Sequence, residues 1–409
     1  MTAHAYDEIR LRAISLVEEQ RIDPEVDLGR VRDVVSGAVE DYQRSAQLGV
    51  GRPLGRPADM VERVVRSLSE FGPLSSLLGR TDVEEVFIEG SRVSYLDAAG
   101  RLRGLDEPTT AEENRHVIER LLAVTDRRLD ASSPLVQARV LGGTARLTAV
   151  APPISDELSV TIRRYALRRE TLEHLTSLGA MNRPAADFLR AVSGTNSSVL
   201  ISGPPGAGKT SLLAALIAAT PADQCVRCCE EVRELSVPLV HGSFYEARPA
   251  GLDGRGEISL RDLVKVVLAM RPDRIVVGEV RGSEAFELTR AVNAGTGFAC
   301  TIHANSAYDA LAALVNAALM AGENVPEAIV RKIFAASIDL VVHVDRAPES
   351  PARRGITEIL AVLPSLHDDF TTQPIFSRSD LGAPLEWTGA HPPARLAGRI
   401  AWRPPEPVR

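Results

Sequence analysis

The sequence predicts an α/β protein in which a parallel β-sheet with helices on both faces follows an α+β domain and a helical N-terminal segment. In residues 199–363, short apolar strand segments alternate with helical segments, as in a buried parallel sheet. In residues 83–162, apolar and polar residues alternate over short stretches, which is typical of an antiparallel sheet. Residues 6–44 carry apolar side chains at helical spacing.

These changes of pattern divide the 409 residues into five segments. We place a helical region at 1–65, an α+β domain at 66–165, a helical linker at 166–190, a P-loop domain at 191–365 and a tail at 366–409. A chain of this length exceeds one hydrophobic core, which favours several domains. The tail is rich in proline and arginine with weak periodicity, so we expect it to be irregular or loosely packed.

Composition and charge make some classes of function and some cellular locations less favourable than others. The formal net charge of −7 gives no general attraction to nucleic acid, so direct nucleic-acid binding is not expected. Four cysteines in so long a chain do not make a disulfide framework, which favours the reducing cytoplasm. We find no signal-peptide pattern and no apolar run long enough to cross a bilayer. The predicted location is cytoplasmic, with membrane association through partner proteins.

The clearest motif is a phosphate-binding loop at residues 203–210. It matches G-x-x-x-x-G-K-[ST], follows an apolar strand at 198–202 and precedes a helix. Backbone amides and the helix N-terminus would form an anion site, Lys209 would reach the β- and γ-phosphates, and Thr210 would bind Mg²⁺. ATP and Mg²⁺ are the expected ligands, and the predicted binding residues here are Gly203, Pro204, Pro205, Gly206, Ala207, Gly208, Lys209, Thr210 and Ser211.

Polar residues at three other strand ends are candidates for action on the γ-phosphate. Glu279 ends a second apolar strand, where it would polarise the attacking water or hold Mg²⁺ through water. Glu230 and Glu231 follow another strand and would orient the metal's hydration shell. His303 follows a third and would contact the γ-phosphate. On residue type alone, each of these is also compatible with a solvated acidic loop or a structural histidine.

Arginines in the preceding domain form a further candidate group. Arg139, Arg146 and Arg163 would be suited to neutralise charge that develops during phosphoryl transfer. The alternative interpretation is a solvated basic edge of a strand.

In this order, the motifs resemble the type II/type IV secretion ATPase superfamily (GspE/VirB-type traffic ATPases), most closely the CpaF-like branch that powers Flp (tight-adherence) pilus assembly. The resemblance covers about residues 71–363. The matching segments lie at residues 71–78, 138–146, 160–164, 203–210, 230–235, 261–264, 270–282 and 301–306.

The resemblance implies a RecA-like ATPase domain, a hexameric ring, and a polytopic inner-membrane platform protein as partner at the inner face of the cell membrane. It identifies Glu230 with the family's Asp box, Glu279 with its Walker B strand and His303 with its His box. It also implies that ATP lies between the two domains, with Arg139, Arg146, Arg163 and Arg248 closing over the phosphates. Glu231 stands where the family usually has Asp.

Two alternatives stay open at this point. The same core could drive a conjugation-type or nucleic-acid translocating motor. The altered Asp box is also compatible with a nucleotide-gated scaffold that hydrolyses ATP very slowly.

Overall fold

The computed structural model describes residues 3–24, 26–98, 100–164, 170–248, 250, 255–347, 350–363 and 369–405. The chain divides into two compact units, Met1–Ala166 and Leu167–Arg409. No helix among the described residues combines the length and the apolar content needed to cross a membrane.

The first unit begins with three helices that surround a core of their own. These are α1 (Ala3–Glu19), α2 (Leu28–Gln47) and α3 (Pro57–Ser69). Tyr6, Ile9, Val35 and Val64 are among the buried residues that they share. The apolar spacing in the sequence therefore corresponds to helix faces that pack on one another.

The rest of the first unit is an antiparallel sheet covered by helices. A short helix, α4 (Ser75–Gly79), precedes the sheet, and α5 (Ala111–Ala123) starts at a capping box of Thr110 and Glu113. The sheet order is β3-β2-β1-β6-β5-β4, and all neighbours are antiparallel. Its strands are β1 (Val83–Glu89), β2 (Arg92–Asp97), β3 (Leu102–Gly104), β4 (Leu135–Val140), β5 (Ala145–Val150) and β6 (Ser159–Arg164).

The second unit contains a sheet of nine strands in the order β15-β14-β13-β12-β7-β11-β10-β8-β9. The strands from β12 to β9 in that order are parallel, and the other three pair antiparallel. The strands are β7 (Ser198–Ser202), β8 (Val226–Glu230), β9 (Gly242–Glu246), β10 (Arg274–Val280), β11 (Gly297–Ile302), β12 (Ile338–Ala347), β13 (Ser350–Leu363), β14 (Thr371–Ser377) and β15 (Glu386–Trp387).

Helices cover both faces of this sheet, so the predicted α/β class with a parallel RecA-like sheet is confirmed. One face packs on α6 (Leu172–Ser177), α7 (Arg183–Ser193) and α8 (Lys209–Ala218). The other packs on α9 (Leu260–Leu268), α10 (Glu284–Asn293), α11 (Ala307–Leu319) and α12 (Glu327–Ser337).

The predicted linker at 166–190 differs in the structure. Residues 165–169 lie outside the described ranges, but α6 and α7 follow them and belong to the second unit. Leu172, Leu175 and Phe188 are buried in the same core as α8. Their apolar faces need a partner, and the sheet supplies it, so these helices are part of the P-loop unit.

The tail, expected to be irregular or loosely packed, is packed into the core of the second unit over its described residues. Residues of the tail form β14, β15 and the short helix α13 (Ala394–Ala397). Trp402 packs edge-on against Phe188 at 4.9 Å between ring centroids. Asp339, buried at the start of β12, accepts a hydrogen bond from the Ser198 amide at 2.9 Å and lies 3.1 Å from Arg395 Nε. These long-range contacts order a segment whose local sequence has no clear period.

Candidate functional site

The loop at residues 203–210 connects β7 to α8, as the motif predicts. Gly203 lies against β12, where a Cβ atom would overlap the carbonyl oxygen of Val344, so only glycine fits. Gly206 and Gly208 have φ values of +74° and +97°, in the left-handed region that favours glycine. A glycine-rich turn leading into a helix N-terminus is a binding site for anions such as phosphate.

Lys209, the first residue of α8, is buried and its ammonium group turns back over the loop. Nζ donates to the carbonyl oxygens of Gly203 at 2.9 Å and Pro204 at 3.0 Å. It also lies 3.1 Å from Nδ1 of His303. Because a lysine ammonium only donates, Nδ1 is the acceptor, and the proton of the neutral ring is on Nε2.

His303 joins Lys209 to Glu279. Its Nε2 lies against Oε1 of Glu279, while Arg281 Nε donates to Oε2 of the same carboxylate at 2.8 Å. Burial, followed by the charge of Lys209, lowers the pKa of His303, so the ring is neutral at neutral pH. Three of the predicted residues, Lys209, His303 and Glu279, therefore form one polar chain across the ends of β7, β10 and β11.

Glu230 is buried at the end of β8, with only 3% of its surface exposed. Its Oε1 accepts hydrogen bonds from the backbone amides of Glu234 at 3.0 Å and Leu235 at 3.2 Å. Burial raises the pKa of Glu230 to about 7, although the two amides favour the charged form. Glu230 lies beside Gly278, the residue before Glu279.

The other predicted residues of this unit are not members of that polar chain. The Thr210 hydroxyl, in the first turn of α8, forms no hydrogen bond with a residue of the described ranges. Glu231 is exposed just after β8. Arg248 is exposed, and its Nε donates to the Gly256 carbonyl at 2.7 Å within its own loop. The structure thus brings together only some of the predicted residues.

The three predicted arginines of the first unit form a row across its sheet. Strand register pairs Arg139 with Arg146, and Arg146 with Arg163. The row ends at Glu85, whose Oε1 lies 3.3 Å from Arg163 Nε. Their neighbours along each strand, such as Leu147, are buried, so the arginines lie on the face away from the core. The row therefore places three guanidinium groups side by side on this face of the sheet.

A sequence model of the family described as "Type II/IV secretion system protein" matches residues 93–357. That range contains the P-loop and the strand ends that carry Glu230, Glu279 and His303. This chain belongs to the type II/IV secretion system protein family. The resemblance inferred from the motifs is confirmed at this level, and the narrower CpaF-like assignment stays a prediction.

Relatives in this secretion family cover most of the chain. Rv3659c of Mycobacterium tuberculosis (strain ATCC 25618 / H37Rv), named for conjugal transfer, is 34% identical over 303 residues, which are 71% of this chain and 84% of that protein. The type IV secretion system protein PtlH of Bordetella pertussis is 30% identical over 318 residues, 69% of this chain and 91% of PtlH.

A solved structure also has a similar fold. The X-ray structure of the Legionella pneumophila ATPase DotB aligns with a TM-score of 0.50 and 19% identity, over 68% of this chain and 77% of DotB. At this level of identity, the likeness supports the fold alone.

The oxygen donors of this secretion-family site suit Mg²⁺. No cluster of three or more His, Cys, Asp or Glu able to hold a metal occurs among the described residues. Mg²⁺ keeps several waters and usually binds one or two protein oxygens together with substrate phosphates, so it needs no such cluster. The Thr210 hydroxyl, with Glu279 acting through water, is a fitting donor set.

Sequence reasoning missed two residues of β12, His343 and Arg346. Nδ1 of His343 lies 2.9 Å from Oγ of Ser202, the residue before the P-loop. Burial lowers the pKa of His343, so this buried partner is neutral. Arg346 follows three residues later, beside the loop. His343 is a polar residue within the apolar run 340–344, and this was the signal in the sequence that could have identified it. That it lies beside Ser202 follows only from the pairing of β12 with β7.

Proposed function

We propose that this chain is an ATP-hydrolysing motor of a type II/IV secretion machine. The proposal depends on the polar chain from Lys209 through His303 to Glu279, which lies beside the P-loop. Membership of the secretion family supports ATPase activity in general. The proposed substrate is ATP with Mg²⁺.

In the proposed reaction, water attacks the γ-phosphate in line, and Glu279 orients the water or accepts its proton. The bond from the γ-phosphorus to the bridging β–γ oxygen breaks, and ADP leaves with inorganic phosphate as the other product. Lys209 neutralises charge on the β- and γ-phosphates. When bound, Mg²⁺ supplies further neutralisation of phosphate charge. His303 contacts both the carboxylate and the ammonium, so it positions the two groups relative to each other.

Glu230 has a different proposed role, because it is buried and its pKa is near neutrality. In the charged form it would orient water bound to the metal. For Glu231 and Arg248, contact with metal and phosphates stays a prediction from the resemblance.

Arg139, Arg146 and Arg163 are proposed to neutralise the charge that develops on the phosphates. Their alignment as a row of like charges supports a role in anion binding.

Phosphate release from the purified full-length chain with Mg·ATP tests the motor proposal. We expect turnover by the wild type and none by Lys209→Ala, whose thermal unfolding should stay cooperative. Lys332→Ala, a change of the same kind at an exposed position of α12, serves as control and should hydrolyse ATP normally. Normal turnover by Lys209→Ala would refute the proposal, and very slow turnover by the wild type would favour the nucleotide-gated scaffold.

A more specific proposal concerns the secretion pathway in which the motor works. Flp pilus assembly is the function favoured by the sequence motifs, whereas relatives named for conjugal transfer and type IV secretion favour a conjugation-type motor. Salt-dependent DNA binding in a gel-shift assay would favour the nucleic-acid translocating alternative.

We further propose a hexameric ring that acts at the inner membrane through a polytopic platform protein. The mass of the purified oligomer by light scattering, with and without nucleotide, tests the ring.

A further inference from the structure

β12, the neighbour of the P-loop strand β7, carries an arginine whose side chain lies beside the loop. β12 runs parallel to β7, and its register pairs His343 with Ser202, the residue before the loop. Further along β12, Nη1 of Arg346 lies 3.5 Å from the position that a Cβ atom would take at Gly206. Because strand pairing fixes β12 against β7, this guanidinium is held next to the phosphate-binding turn.

The surroundings of Arg346 favour an anion. Its backbone amide donates to Asp345 Oδ1 at 2.8 Å, but its exposed guanidinium has no hydrogen bond or ion pair with a residue in the described ranges. Arg354 of β13 stands directly opposite it in the antiparallel pair. The Arg346 guanidinium is therefore positioned to bind a negatively charged ligand next to the loop.

We propose that Arg346 binds a phosphate group of the nucleoside di- or triphosphate held by residues 203–210. A guanidinium forms paired, charge-assisted hydrogen bonds with phosphate oxygens, and the loop amides with the α8 N-terminus attract the same anion. This inference rests on the proposed function, since it takes the loop to hold a nucleotide. It adds a residue from β12 to a site otherwise built from the loop and the ends of β10 and β11.

Titration of the full-length chain with a fluorescent ADP analogue in the presence of Mg²⁺ tests the inference. We expect Arg346→Ala to weaken binding about tenfold, and Arg346→Lys to weaken it less because the charge is kept. Arg353→Ala is the matched control, since Arg353 is an exposed arginine of the same hairpin that lies near Asp380 and Gly382. It should bind like the wild type. Unchanged affinity in Arg346→Ala overturns the inference.

Thermal unfolding separates a binding role from a structural one. Without nucleotide, Arg346→Ala should melt at the wild-type temperature, while the rise in Tm on adding ADP should shrink. A lower Tm without nucleotide together with a full ADP-induced rise contradicts the inference.

Lys209→Ala separates this inference from the proposed function. One outcome refutes only the role of Arg346: the wild type binds ADP, Lys209→Ala fails to bind it, and Arg346→Ala binds it as tightly as the wild type. A wild-type chain that binds no nucleotide would refute both.

Discussion

The backbone of Gly278 lies against the side chain of Glu230, where a Cβ atom at position 278 would come within 2.7 Å of Glu230 Cγ. The contact connects the neighbouring strands β8 and β10 at the edge of the sheet where the P-loop lies. Glycine at 278 therefore sets the position of a buried carboxylate next to Glu279.

Gly278→Ala should destabilise the protein by about 1–3 kcal/mol, because the added methyl group overlaps a buried side chain. It should also lower ATP turnover, since Glu230 must move. Chemical denaturation and phosphate release measure the two effects. Gly37→Ala is the control, because Gly37 lies inside α2 with open space at its Cβ position, and the change there should be neutral or slightly stabilising. Wild-type stability and turnover in Gly278→Ala would contradict the prediction.

Glu230 should make stability depend on pH. Its folded pKa of about 7 lies above its unfolded value, so the folded state binds the extra proton between about pH 4.5 and 7. This stabilisation is fully present below the unfolded pKa and is lost as pH rises through 7.

Glu230→Gln removes this ionisation. The free energy of unfolding of the variant, relative to that of the wild type, should therefore increase from pH 5 to pH 8 by on the order of 3 kcal/mol. Melting temperatures of both proteins, without nucleotide, across this range give the difference. A difference that stays constant with pH would show that Glu230 does not titrate there.

His303→Ala should reduce ATP turnover about tenfold or more, because Glu279 then loses its contact with the imidazole and keeps Arg281. Nucleotide affinity should change less than turnover, since the loop amides remain and Lys209 keeps its charge, although it loses the contact with His303. Steady-state kinetics and ADP titration separate the two quantities. His241→Ala, at an exposed histidine before β9, should behave as wild type. Loss of ADP binding with unchanged turnover per bound nucleotide would assign His303 to binding instead.

Asp339→Asn should destabilise the second unit by about 3–5 kcal/mol, because Arg395 and Arg399 would lose a buried carboxylate. Asp187→Asn is the control. Asp187 also lies beside two arginines, Arg183 and Arg190, but its side chain is 45% exposed, so the loss there should be at most about 1 kcal/mol. Thermal unfolding of both variants gives the comparison, and equal losses would show that Asp339 does not anchor the tail.

The sequence by itself determined the P-loop, the strand ends that carry Glu230, Glu279 and His303, and the family. Each of these is a short segment in which residue type and spacing carry the chemistry, so local pattern was sufficient. The parallel sheet with helices on both faces followed from the same alternation of apolar segments.

Only the tertiary structure decided which distant segments meet. Strand register aligned the three arginines of the first unit, placed Arg346 beside Gly206 and put Gly278 against Glu230. The tail became ordered because β14 pairs with β13 and Asp339 lies beside Arg395. Such pairings join residues far apart in sequence, and their free energy comes from burial and hydrogen bonds that no local window of residues contains.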